Sequence, residues 1–162
     1  MFASPCAGDQ AARGFTLLET IIVLAVIGLL FAVSSPALDG MLKTMEYREA
    51  VRYLAGAARQ AKREAQLTGT AIDLIIDAKR GRFIVKLSSD PRVVDEMTAL
   101  PDSLTYSVIS AAGVTSSDDL AGIRFYPAGG STGGEITVTR PSGTGTLIVV
   151  DWLLGSTEQR PL

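Results

Sequence analysis

The chain changes its hydrophobic rhythm twice. From Phe15 to Val33 it is almost continuously apolar, and Glu19 is the only charge in those 19 residues. As a helix this run is about 28 Å long at 1.5 Å per residue. A bilayer core is about 30 Å thick. Beyond Pro36 the apolar positions Leu38, Met41, Leu42, Met45, Val51, Leu54, Ala55, Ala58, Ala61 and Ala65, with Lys62 beside them, recur mostly at spacings of three and four. That period predicts an amphipathic helix with one stripe for a sheet. Arg48, Glu49, Arg52, Arg59, Arg63 and Glu64 fill its other faces. Their mixed signs read as a solvated surface rather than a basic binding face. Thr68-Gly69 is the expected stop.

After Gly69 the rhythm is that of strands. Residues 71–76 and 82–87 flank Asp77-Ala78-Lys79-Arg80-Gly81, a hairpin by composition with Gly81 supplying the turn. Residues 88–103 read as a loop punctuated by Pro91 and Pro101. Further strands are expected over 104–109, 123–126, 135–139 and 146–152, with a small-residue loop over 111–119. One long helix followed by about six strands with tight turns predicts an α+β fold with an antiparallel sheet.

Composition removes several functions. The chain of 162 residues has a net charge of −2 and no histidine, and Cys6 is its lone cysteine. It therefore lacks the commonest general base, any thiol cluster for zinc and any intramolecular disulfide. Asp90, Asp95, Glu96, Asp118 and Asp119 fit no oxygen-ligand loop and read as solvated carboxylates. Gly129-Gly130-Ser131-Thr132-Gly133 spells G-x-S-x-G. That nucleophile-elbow string needs a following helix and a histidine base, and here a strand pattern follows. Nor does it carry the lysine of a phosphate loop. The glycines Gly129, Gly130, Gly133 and Gly134 read instead as a tight strand connection. Trp152 is expected as a core or edge aromatic, with a subunit contact as the alternative.

Three readings compete for the N-terminal segment. Small residues at Ala32-Val33-Ser34 and Ser35-Pro36-Ala37 suit a signal peptidase. The run is long for that purpose, and Glu19 interrupts its start. A plain membrane anchor leaves Glu19 without a reason, although an intramembrane carboxylate is costly. The third reading uses Gly14 followed by Phe15-Thr16-Leu17-Leu18-Glu19 and the apolar stretch. Together these resemble the N-terminus of a type IV prepilin or a type II secretion pseudopilin. The resemblance implies a leader over 1–14, cleaved by a prepilin peptidase between Gly14 and Phe15, with N-methylation of Phe15. It implies that Glu19 pairs with the terminal amine of a neighbouring subunit, a contact favoured where each charge would be expensive alone. Pro36 is then the site of a helix kink. The leader departs from the usual charge pattern, with Arg13 set against Asp9.

Phe125-Tyr126-Pro127, the glycine turn, Ile136 and the closing 147–155 segment are similar to the C-terminal half of the GspH/FimT family. The likeness covers both ends of the chain, while residues 70–120 match only in strand pattern. It implies a pilin-like arrangement: a membrane and filament-core helix over 15–35, its amphipathic continuation over 36–68, and a β-rich periplasmic domain over 69–162. The implied function is that of a minor pseudopilin near the tip of a type II secretion pseudopilus, assisting export of folded proteins. The implied location is the inner membrane, with the N-terminus cytoplasmic. Implied partners are shaft and tip pseudopilins, the peptidase and the inner-membrane assembly platform. No cofactor, metal or enzymatic activity is implied. The alternative is a FimT/FimU-like minor pilin of a type IV pilus. Some of those bind DNA, but the tail over 155–162 has one Arg against one Glu, which speaks against nucleic acid.

Overall fold

The computed structural model describes residues 15–90, 96–110, 114 and 120–162, with the side chains of 32–39 outside that set. The chain divides into two compact units between Met41 and Leu42. A single helix, α1 (Leu17–Thr68), joins the two halves read from the sequence. Thr16 caps it, its Oγ1 accepting the Glu19 N–H at 3.3 Å. Thr16 and Glu19 thus stand at the spacing of a capping box. Gly69 ends the helix in the left-handed region (φ +69), its N–H reaching the Ala65 carbonyl at 3.1 Å. The kink expected at Pro36 falls where side chains are not described.

In the second unit the helix buries Tyr47, Ala50, Val51, Leu54, Ala55, Ala57, Ala58, Ala61 and Ala65. The stripe read from the sequence extended further towards the N-terminus. Met41, Leu42 and Met45 are more than half exposed, which corrects that expectation. Periodicity finds a helix face but not where its partner stops, and the core begins at Tyr47. Tyr47 anchors that level. Its hydroxyl bonds Thr146 Oγ1, and the Arg140 guanidinium lies 3.8 Å from its ring centroid. A cation over a ring is worth about 0.5–2 kcal/mol, depending on solvation.

The strands are β1 (Ile72–Asp77), β2 (Arg82–Leu87), β3 (Thr98–Ala99), β4 (Thr105–Ser110), β5 (Leu120–Phe125), β6 (Gly134–Thr139), β7 (Gly145–Val150) and β8 (Thr157–Pro161). They form two four-stranded sheets rather than the one expected, in the orders β3-β2-β1-β5 and β4-β6-β7-β8. All described pairings are antiparallel. Two strands were missed. β3 is two residues inside the predicted 88–103 loop. β8 is polar, ends on Pro161 and borders its sheet, the place where proline and charge are tolerated.

β1 is buried on both faces. Ile72, Leu74 and Ile76 join the core that the helix covers. Asp73, Ile75 and Asp77 point the other way, and the side chains of Ile75 and Val114 both crowd the space above Gly122. Asp73 faces Arg124 across the β1–β5 ladder and receives it with both oxygens, at 2.7 and 2.9 Å. Removing one partner of such a buried pair typically costs about 3–5 kcal/mol. Asp77 closes the β1–β2 hairpin. It accepts the Arg80 N–H at 2.9 Å and the guanidinium groups of Arg80 and Arg82 at 3.3 and 3.4 Å. Gly81 (φ +58) completes the turn, as expected.

Burial pushes the Asp77 carboxyl up, but the Arg80 amide, the Arg80 guanidinium and Arg82 together hold it below its ordinary 3.8. A depressed carboxyl stabilises the fold fully above the unfolded value and loses that contribution as pH falls through the folded one. Urea unfolding should therefore show stability falling below about pH 4. Asp77→Asn should be weaker at neutral pH and should lose part of that acid slope. An unchanged slope would remove Asp77 from the account.

Candidate functional site

Two features stand out once the fold is in place. The first is the N-terminal half of α1. Every residue from Phe15 to Phe31 is exposed. Phe15 is 81% exposed, and Glu19 stands in the first helical turn, where the helix dipole favours a carboxylate. A helix apolar all round is suited to the interior of a bundle or a bilayer, not to water. Among the described residues no helical stretch is long and apolar enough to cross a membrane. The expected run over 15–35 continues into 32–39, whose side chains are not described. Gly14, on the other side of the expected cleavage point, also lies outside the described residues.

The second feature is the junction of the β5–β6 and β7–β8 connections. Ser131 extends β5 by one bridge to Phe125, and the Thr132 N–H donates to the Arg124 carbonyl at 2.8 Å. The Gly129 N–H closes a turn onto the Tyr126 carbonyl at 2.9 Å. Opposite, the Asp151 carboxylate accepts the N–H groups of Leu153 and Leu154 at 2.9 and 2.7 Å, shaping a turn that ends on Gly155. The two turns are stitched together. The Ser131 N–H donates to the Trp152 carbonyl at 2.8 Å, and the Ser131 hydroxyl donates to the Asp151 carbonyl at 2.9 Å. That same hydroxyl accepts the Gly133 N–H at 3.0 Å. Ser131 is thus a buried latch and not an exposed nucleophile.

The four glycines singled out in the sequence all lie at this junction. Gly129 and Gly133 have positive φ, +102 and +72. A Cβ on Gly130 would stand 3.2 Å from the Trp152 carbonyl oxygen, and one on Gly134 would stand 2.9 Å from that of Ile109. Gly155 was not singled out, yet it is the tightest point between the turns. It has φ +61, and a Cβ there would lie 2.8 Å from the Gly129 oxygen. Asp151 was also missed, although an Asp opening a turn that closes on Gly is a readable cap signal.

The junction corrects the reading of Trp152. The seventh strand ends at Val150, and Trp152 is 67% exposed on the turn, next to exposed Leu153 and Leu154. The backbone bonds of the latch hold this segment, so the indole is presented rather than packed. Of the acidic residues weighed as an oxygen-ligand loop, Asp95, Asp118 and Asp119 lie outside the described residues.

Comparison with known proteins agrees with this layout. The family described as Type II transport protein GspH matches residues 50–154, which run from the buried helix stripe to the Trp152 turn. The Prokaryotic N-terminal methylation motif matches residues 9–35. The Type II secretion system protein H of Xanthomonas campestris pv. campestris is 30% identical over 150 residues, covering 93% of this chain and 84% of that protein. Among solved structures, the minor pseudopilin EpsH from the Type 2 Secretion System of Vibrio cholerae superposes with a TM-score of 0.52 at 15% identity. It covers 72% of this chain and 96% of its own, a likeness of fold. By its sequence from the helix stripe to the closing turn, the chain belongs to the GspH family.

Proposed function

We propose that this chain is a minor pseudopilin of a type II secretion system, a structural subunit rather than an enzyme. The observation that carries the reading is the exposed apolar helix with Glu19 in its first turn. Such a surface calls for a bilayer before assembly and for neighbouring helices afterwards. On this reading a prepilin peptidase cuts between Gly14 and Phe15 and methylates the new amino terminus. Methylation keeps the amine charged. The helix holds the subunit in the inner membrane, with the N-terminus cytoplasmic and the β-rich unit periplasmic. The assembly platform then passes it into the pseudopilus near the tip, where Glu19 meets the terminal ammonium of a neighbour. Pro36 gives the helix a point of bending. The filament assists export of folded proteins across the outer membrane.

The pilus alternative gains no support. The relatives are proteins of type II secretion, and the cation of the tail, Arg160, is bonded to Glu158 at 2.8 Å. DNA binding would need cations available for phosphates.

The test is the mass of the mature chain together with secretion. Protein recovered from membranes should begin at N-methylated Phe15. Deleting the gene should leave folded exoproteins in the periplasm, and the wild-type gene should restore their release. A chain beginning at Met1, or one cut within 32–37, would overturn the proposal.

A further inference from the structure

Among the described residues, the outer face of the second sheet carries an open cleft. Its volume is about 540 Å³. One row of side chains crosses the four strands there, Ile109–Glu135–Val149–Glu158, set by the ladder registers. Trp152, on its latched turn, stands beside the start of β6, where a Cβ on Gly133 would lie 3.1 Å from the Trp152 Cβ. Ile109 and Trp152, both 67% exposed, line the cleft together with half-buried Val149 and the bare backbone of Gly133. The backbone that carries the indole is already held by the Ser131 N–H, so binding at this apolar patch need not order that turn. Large aromatics in such settings dominate interface energies.

The rim has a sign. Glu135, Glu158 and Asp151 border the patch, and Arg160 stands against them, bonded to Glu158. Three carboxylates against one guanidinium leave the border acidic. That border disfavours an anionic lipid surface and favours a cationic protein segment.

We propose that this cleft is the docking seat for a neighbouring pseudopilin. The seated segment presents one bulky apolar side chain between Ile109 and Trp152, with a Lys or Arg beside it that reaches Glu135. The proposal rests on the reading of the chain as a pseudopilin. Trp152 supplies most of the contact energy, and Glu135 selects the partner.

The test uses the full chain in secreting cells, with benzoyl-phenylalanine placed in turn at positions 109, 152 and 23 as the photochemical probe. Positions 109 and 152 should both crosslink to one pseudopilin other than this chain. The captured peptide should hold an apolar residue next to Lys or Arg. With the probe at 152, Glu135→Lys should cut the yield at least about tenfold. In unlabelled protein, Trp152→Ala should weaken recovery of that subunit by about 30-fold. Crosslinks from 109 and 152 to lipid or to a second copy overturn the proposal. So does an acidic captured peptide, or a yield indifferent to Glu135→Lys. Silence at 109 and 152 with capture of pseudopilins from 23 also overturns it and leaves the pseudopilin reading standing. Silence at all three positions overturns both.

Discussion

Replacing Glu19 by valine should lower incorporation into the filament at least about 100-fold, while the precursor still reaches the membrane. On the proposed pairing, the magnitude follows from the partner left behind. An ammonium stranded in an apolar helix bundle costs about 3–5 kcal/mol, and each 1.4 kcal/mol is a factor of ten. Glu19 also has a local role, at the N3 position behind the Thr16 cap. The two roles separate in Glu19→Gln. Glutamine keeps the capping-box spacing behind Thr16 but carries no charge. Glu19→Gln should therefore stay helical and yet fail in assembly, read as filament yield after membrane fractionation. Normal filaments from the glutamine variant would reduce Glu19 to a cap and remove charge pairing from the mechanism.

Placing alanine at Gly155 should destabilise the β-rich unit by about 3 kcal/mol. Left-handed backbone costs an ordinary residue about 1–2 kcal/mol. The new Cβ would also press on the Gly129 oxygen, which is backbone fixed by its own turn and has little room to yield. For a chain of this size the melting temperature should fall by roughly 10 °C, measured by circular dichroism of the detergent-solubilised protein. Gly143 is the internal control. It also has positive φ, +86, but nothing lies within 4 Å of its would-be Cβ. Gly143→Ala should cost only about 1 kcal/mol. Equal losses at both positions would mean that strain, not the approach of the two turns, explains Gly155.

Much of this layout is legible in the chain because local chemistry and tertiary role coincide there. The apolar run with its lone carboxylate, the helix stop at Thr68-Gly69 and the hairpin at Asp77–Gly81 each follow from nearby residues. The misreadings occur where distant partners decide. The burial of Asp73 has no local signal, because Arg124, reached only through the β1–β5 pairing, is what makes it tolerable. β8 is too polar to announce itself and exists because β7 offers it an edge. Met41, Leu42 and Met45 keep the helical rhythm yet stay more than half exposed, because period alone does not say where the core begins. The division into two sheets is equally invisible, since alternation says which side faces inward but not which ladder a strand joins. Trp152 has the composition of a core residue, and only the Asp151–Ser131 latch turns it outward.

The seam between the helix and its sheets is built largely from alanine, at positions 50, 55, 57, 58, 61 and 65. Truncating one of these alanines to glycine costs little beyond helix propensity, about 1 kcal/mol, so the larger vulnerability of this contact is to enlargement. Enlargement to valine or leucine would wedge the layers apart, and overpacking of this kind typically costs about 1–3 kcal/mol. Substitution along that line is therefore tolerated towards small side chains far better than towards large ones.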